Sequence, residues 1–178
     1  MCDATSTTDV QQLFASLQGE SLQVVIYNPS RIVRGAIETV DVEQVRKAID
    51  VTAFGSFIVA QQAAAAMLKA GQGGTILFTG ASAGTKGFSK SAAFAMGKFA
   101  QRGLTESLSR KLHPQNIHVC WFNIDGDIAN PSRSSPSTSD PDSMLDPAAI
   151  AQTYLAVVQQ LRSAWSNEIA LRPWVEKW

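Results

Sequence analysis

The chain has 178 residues, of which 45% are hydrophobic and 17% charged, with fifteen lysines and arginines set against fifteen aspartates and glutamates. That length and composition suit one folded domain over residues 1–178 and exclude a disordered chain. A net charge of zero offers no broad field to nucleic acid or to an anionic membrane, so a small molecule or a protein is the expected partner.

Asp3-Ala4-Thr5-Ser6 precedes Val10, Leu13, Phe14 and Leu17, apolar positions at helical spacing behind a Ser/Thr cap. A short amphipathic helix ending near Gly19 is expected. The polar stretch Met1 to Asp9 lacks the apolar segment of a secretory signal, and no apolar run is expected to reach the length of a membrane helix. Cys2 and Cys120 make neither a metal spacing nor a disulfide framework. This suits a reducing cytoplasm, and no metal site is expected.

Leu22 to Tyr27 reads as a buried strand stopped by Asn28-Pro29-Ser30. Asp41 to Ala70 is helical throughout, and Gly71-Gln72-Gly73-Gly74 terminates it. A strand over Thr75 to Phe78 follows, then a loop over 79–90 and a second long helix from Ser91 to His113, ended by Pro114. Ile117 to Ile124 is another buried strand. The polar Ser/Pro/Asp-rich stretch from Asp125 to Asp146 has the length of a lid, a binding loop or a disordered segment. A helix over Pro147 to Arg162 and a strand over Glu168 to Leu171 complete the chain. Strands alternating with helices predict an α/β domain with a doubly wound parallel sheet.

The most informative stretch is Ser91 to Ala100, almost uncharged, with Lys98 four residues after Phe94. That spacing places both on one helix face, where a tyrosine and a lysine would form an acid/base pair. Lys98 is either an ordinary solvated lysine or one that faces a site, and its small, apolar neighbours favour the second reading. Phe94 reads as a packed aromatic lining a pocket. Ser82 is a turn residue or a substrate contact, and Tyr27 reads as a strand-end tyrosine half in the core. Thr79 to Gly87 follows a strand and precedes a helix, as a phosphate loop does, but Lys86 stands where the last glycine belongs.

Together these elements resemble the C-terminal two-thirds of the short-chain dehydrogenase/reductase family. Phe94 to Lys98 occupies the place of Tyr-x-x-x-Lys, Tyr27-Asn28-Pro29-Ser30 that of Asn-Asn-Ala-Gly, and Ile124-Asp125-Gly126 that of a Pro-Gly turn beside the nicotinamide. The resemblance implies a partial Rossmann-like sheet without the first strands of the dinucleotide-binding half. It implies NAD(P) as cofactor, with Asp3, Asn28, Lys98 and Gly126 as the matching contacts. Lys98, Ser82 and Phe94 hold the catalytic positions, Phe94 standing where the tyrosine is lost. The family's serine falls on Ala81, beside Ser82, and its asparagine on Thr52.

A phenol needs a nearby cation to transfer protons near neutrality, and a benzyl ring transfers none. The expectation is therefore an NAD(P)-dependent oxidoreductase homologue with weak or absent activity. The alternative is a non-catalytic homo-oligomeric or partner-binding scaffold. In the family the two long helices form a dimer interface, which their alanine-rich faces here would suit. The strand at Leu22 to Tyr27 is expected to show a bare edge, and Trp165, Trp174 and Trp178 add apolar surface near the C-terminus.

Overall fold

The computed structural model describes residues 1–130 and 142–176. Residues 131–141 of the polar stretch, together with Trp178, lie outside the described residues.

Helix α1 (Thr7–Ser16) starts where the Ser6 hydroxyl accepts from the Asp9 amide at 3.2 Å and donates to the Asp9 carboxylate at 2.9 Å. Strand β1 (Val24–Tyr27) follows, then α2 (Val42–Ile49), capped by the Asp41 carboxylate on the Gln44 amide at 2.8 Å. A π turn over Asp50–Phe54 joins α2 to α3 (Gly55–Ala70), which ends at Gly71 with φ of 69°. Next come β2 (Gly74–Thr79), α4 (Ala92–Leu112), β3 (Ile117–Ile124), α5 (Pro147–Val158) and β4 (Glu168–Leu171).

The four strands are parallel and pair in chain order, β1-β2-β3-β4. Side chains alternate across a strand. On one face Tyr27, Ile76, Phe78, Ile117, Val119 and Trp121 therefore pack with Ala60, Ala63 and Met67 of α3 and Leu112 of α4. On the other, Leu77, Cys120, Phe122 and Ile124 pack with Tyr154 and Val157 of α5. All eight residues of β3 are buried, as expected of a parallel strand covered on both faces. The protein thus has the predicted partial Rossmann-like, doubly wound α/β sheet.

Four expectations need correction. The first strand is shorter and far less buried than its apolar sequence suggested: it spans Val24–Tyr27, with Val24 37% and Ile26 50% exposed. The cluster under α5 draws on β2, β3 and β4 but not on β1, and among the described residues nothing pairs with the outer edge of β1. Secondly, the helix over 41–70 is continuous only by way of its π turn. Thirdly, the last helix stops at Val158, with Gln159 as its cap, and a short 3₁₀ turn takes up Arg162–Ala164. Lastly, the span Val42–Ala70 is long and apolar enough, by length and composition alone, to cross a membrane. Its Ala60, Ala63 and Met67 instead pack against the strands, as a core helix does.

The glycines after β2 are set by a neighbouring indole. A Cβ on Gly80 would lie 2.1 Å from the Trp121 ring, and one on Gly84 2.6 Å from it. Gly80→Ala is therefore expected to destabilise the fold by about 1–3 kcal/mol through overpacking. Gly87, whose Cβ would meet nothing within 4 Å, should tolerate alanine within about 0.5 kcal/mol. Urea denaturation of the two variants beside the wild type measures both.

Candidate functional site

Parallel strands end on one rim, so the segments after β1 (Asn28), β2 (79–84), β3 (Asp125 and Gly126) and β4 (Arg172) gather at the carboxyl end of the sheet. Helix α4 approaches this rim with its first turns, and Lys98 points inward. Its side chain is 2% exposed. The amine donates to the Thr79 carbonyl at 2.5 Å and to the Gln101 side-chain oxygen at 3.4 Å, and lies 5.9 Å from the centre of the Phe94 ring. Burial pulls its pKa down from 10.5 to about 8. Lys98 is thus no solvated lysine, and it faces the protein interior at the end of β2.

Gln101 extends this arrangement. The same amide oxygen that accepts from Lys98 accepts from the Trp121 indole N–H at 3.3 Å, while the amide nitrogen donates to the Thr52 carbonyl at 3.4 Å. Thr52 is buried in the π turn, and its hydroxyl accepts from the Arg31 amide at 3.3 Å. Gly97 makes the close contact of α4 with that turn possible, since a Cβ there would stand 3.0 Å from the Thr52 Cβ. Phe94, Lys98, Gln101, Thr52, Trp121 and the Thr79 carbonyl are brought together.

Ser82 sits in a 3₁₀ turn whose backbone carbonyl accepts from the Thr85 and Lys86 amides and from the Thr85 hydroxyl. Four amides of the glycine-rich loop are bonded within the protein. Gly80 donates to the Phe122 carbonyl, Gly84 to Ala81, and Thr85 and Lys86 to Ser82. With Trp121 filling the space beside Gly80 and Gly84, and the Gly80, Gly84, Thr85 and Lys86 amides bonded within the protein, this loop does not fit a pyrophosphate.

Across the rim, Asp125 pairs with Arg172 at 3.0 Å and with Lys86 at 3.9 Å, tying the ends of β3 and β4 to the β2–α4 loop. Gly126 has φ of 153°, and a Cβ on it would meet Pro173 at 2.6 Å. Its glycine thus serves the chain path. The buried Asn123 lies two residues before Asp125 on β3, and its Oδ1 has no hydrogen-bond partner among the described residues. Asp3 accepts from the Thr5 amide and hydroxyl at 2.9 and 2.8 Å, building the turn before α1. Tyr27 donates its hydroxyl to the Val51 carbonyl; burial first, and the Asp3 charge second, push its pKa up to about 12. Asn28 is exposed at the end of β1.

His113 and His118 lie at the opposite end of the sheet, where His118 stacks on Trp165 with ring centres 4.7 Å apart. They are no substitutes for a missing proton donor. Sequence reading passed over Gln101 and Trp121 and named Asp125 only within the Ile124-Asp125-Gly126 turn. The signal for Gln101 was available: it stands three residues after Lys98 on an otherwise apolar helix face.

The short chain dehydrogenase family model matches residues 1–126. The protein belongs to that family. A short-chain dehydrogenase from Rhodopseudomonas palustris superposes with a TM-score of 0.81 at 33% identity, covering 97% of this chain and 72% of that one. An alcohol dehydrogenase from Thermococcus sibiricus, solved with 5-hydroxy-NADP, gives 0.84 over 99% of this chain and 74% of that one, at an identity of 16% that speaks for the fold alone. Trans-4-hydroxycyclohexanecarboxylate dehydrogenase of Sinomonas cyclohexanicum is 35% identical over 99 residues, which are 56% of this chain and 38% of that enzyme. The match spans well under half the length of such curated relatives.

In this short chain dehydrogenase homologue the buried amine makes stability depend on pH. Above about 8 the folded amine is neutral, while the unfolded chain keeps its proton up to 10.5. The unfolded state then binds more protons, so raising the pH through this window favours the folded state. Relative to Lys98→Met, the wild type should gain about 3 kcal/mol between those limits. Urea unfolding of both proteins across the window measures the difference.

Proposed function

We propose that the protein is an NAD(P)-dependent oxidoreductase homologue whose own redox activity is weak or absent. The observation that carries this is Phe94: the residue beside the Lys98 amine has no hydroxyl, and general acid/base assistance is worth about 10² to 10⁴ in rate. Ala81 at the serine position, with Ser82 folded into a turn, supports the same reading. If a dinucleotide binds, the contacts are those of the rim: Lys98, Asn28 and Gly126, with Asp3 toward the adenine. The family's roles for Lys98 and Ser82 are carried over on the same basis.

Titration of the chain with NADH and NADPH by fluorescence is expected to show no saturable binding in the low micromolar range. Trans-4-hydroxycyclohexanecarboxylate with NAD⁺ or NADP⁺ is expected to give no turnover above background. Tight binding with turnover would contradict the proposal.

A second reading, a homo-oligomeric scaffold, is favoured by one surface. Phe54 and Phe57, stacked 6.4 Å apart at the start of α3, are exposed, and so are Met96 and Phe99 on α4. Apolar side chains of this size on two neighbouring helices suit a second copy of the chain. Sedimentation velocity at micromolar concentration should give a dimer that Phe54→Asp with Phe99→Asp converts to monomer; a monomeric wild type would overturn this reading. A cytoplasmic location belongs to the same proposal, supported by cysteines that stay unpaired, Cys2 exposed and Cys120 buried.

A further inference from the structure

The network behind Phe94 includes Gln101, which has no place in the family's catalytic set and links its other members. The Gln101 carboxamide is fully buried on α4 and uses both ends: its oxygen faces the Lys98 amine and the Trp121 indole, its nitrogen the Thr52 carbonyl. Three separate elements meet on that one group. They are α4, strand β3 and the π turn between α2 and α3.

We propose that Gln101 is a positioning residue for Lys98, holding its amine against the Thr79 carbonyl and coupling the state of that amine to Trp121. The inference deepens the reading of Lys98 as the family site residue. It concerns how the amine is held, not whether a dinucleotide reaches it.

An amide oxygen shared between an ammonium and an indole N–H leaves little freedom to either donor. When the amine is charged it draws strongly on the shared oxygen; when neutral it draws less, and the indole bond tightens. Among the described residues no carboxylate forms an ion pair with the amine. Arg102, over the Trp121 ring at 5.7 Å, is paired with Glu168 of β4 at 2.7 Å. Asp125 is paired with Arg172 and Lys86. Asp50 stands in the π turn. The downward shift of the Lys98 amine comes from burial.

The test uses the full chain without cofactor, so a failure to bind dinucleotide does not enter it. The Lys98 Nζ and Trp121 Nε1 resonances are followed by ¹⁵N NMR from pH 6 to 11 in the wild type, Gln101→Met and Gln101→Glu. In the wild type the Trp121 N–H signal should move with the Lys98 titration. In Gln101→Met the indole signal should no longer follow Lys98. In Gln101→Glu, which sets a carboxylate against the amine, the Lys98 titration should rise by about one pH unit or more. Should Gln101→Met fail to fold, Gln101→Glu decides alone. An unchanged Lys98 titration in Gln101→Glu, or a Trp121 signal in Gln101→Met that still follows Lys98, would overturn the proposal.

Discussion

A lysine amine taken out of water needs acceptors, because an isolated buried charge costs several kcal/mol. The carboxyl half of this fold is arranged around the acceptors that Lys98 finds. The Thr79 carbonyl is available because β2 ends there, and Gln101 because it follows on the next turn of α4. Trp121 reaches Gln101 only because Gly80 and Gly84 leave room for its ring, and Thr52 only because Gly97 lets α4 lie close to the π turn. Three glycines and a helical irregularity thus meet around one buried amine.

The same arrangement separates scaffold from chemistry. Strands β2 and β3 are buried throughout their centres and carry helices on both faces, while β1 is half-covered and, among the described residues, unpaired along its outer edge. A parallel strand left this way is held by β2 and by the α3 side of the core, with Tyr27 bonded to Val51 across it. The described strands and helices keep the family fold. At the rim, the Phe94 ring stands beside the Lys98 amine, Trp121 fills the space next to Gly80 and Gly84, and an Asp125 ion cluster holds the turn after β3.

Much of the fold was legible because its signals are local. Ser6 and Asp41 cap helices, Pro114 ends one, and the apolar run at 117–124 has the length of a buried strand. The exposure of Val24 and Ile26 was not legible in their residue types, since burial depends on what lies beyond the strand and apolar sequence is silent on that. The π turn was hidden for a related reason: Asp50 to Phe54 has ordinary helical residues, and only packing of Thr52 under Gly97 distinguishes it. Glycines at 80 and 84 invited a phosphate-loop reading because a ligand and an indole both demand a missing Cβ. At the site, Phe94 and Lys98 were placed correctly on one face, but which way the lysine turned depended on Gln101 and on a carbonyl that sequence does not display.

The central claim is that the Lys98 amine is held inside the folded protein by the Thr79 carbonyl and Gln101. Pulsed acetylation of lysines at pH 8, with peptide mapping by mass spectrometry, addresses it directly. Lys69 and Lys111, both exposed on helices, should be modified at once, whereas Lys98 should react only at the rate of global unfolding and lose its protection at the same urea concentration. Modification of Lys98 in the native protein at a rate comparable to Lys69 and Lys111 would contradict the account.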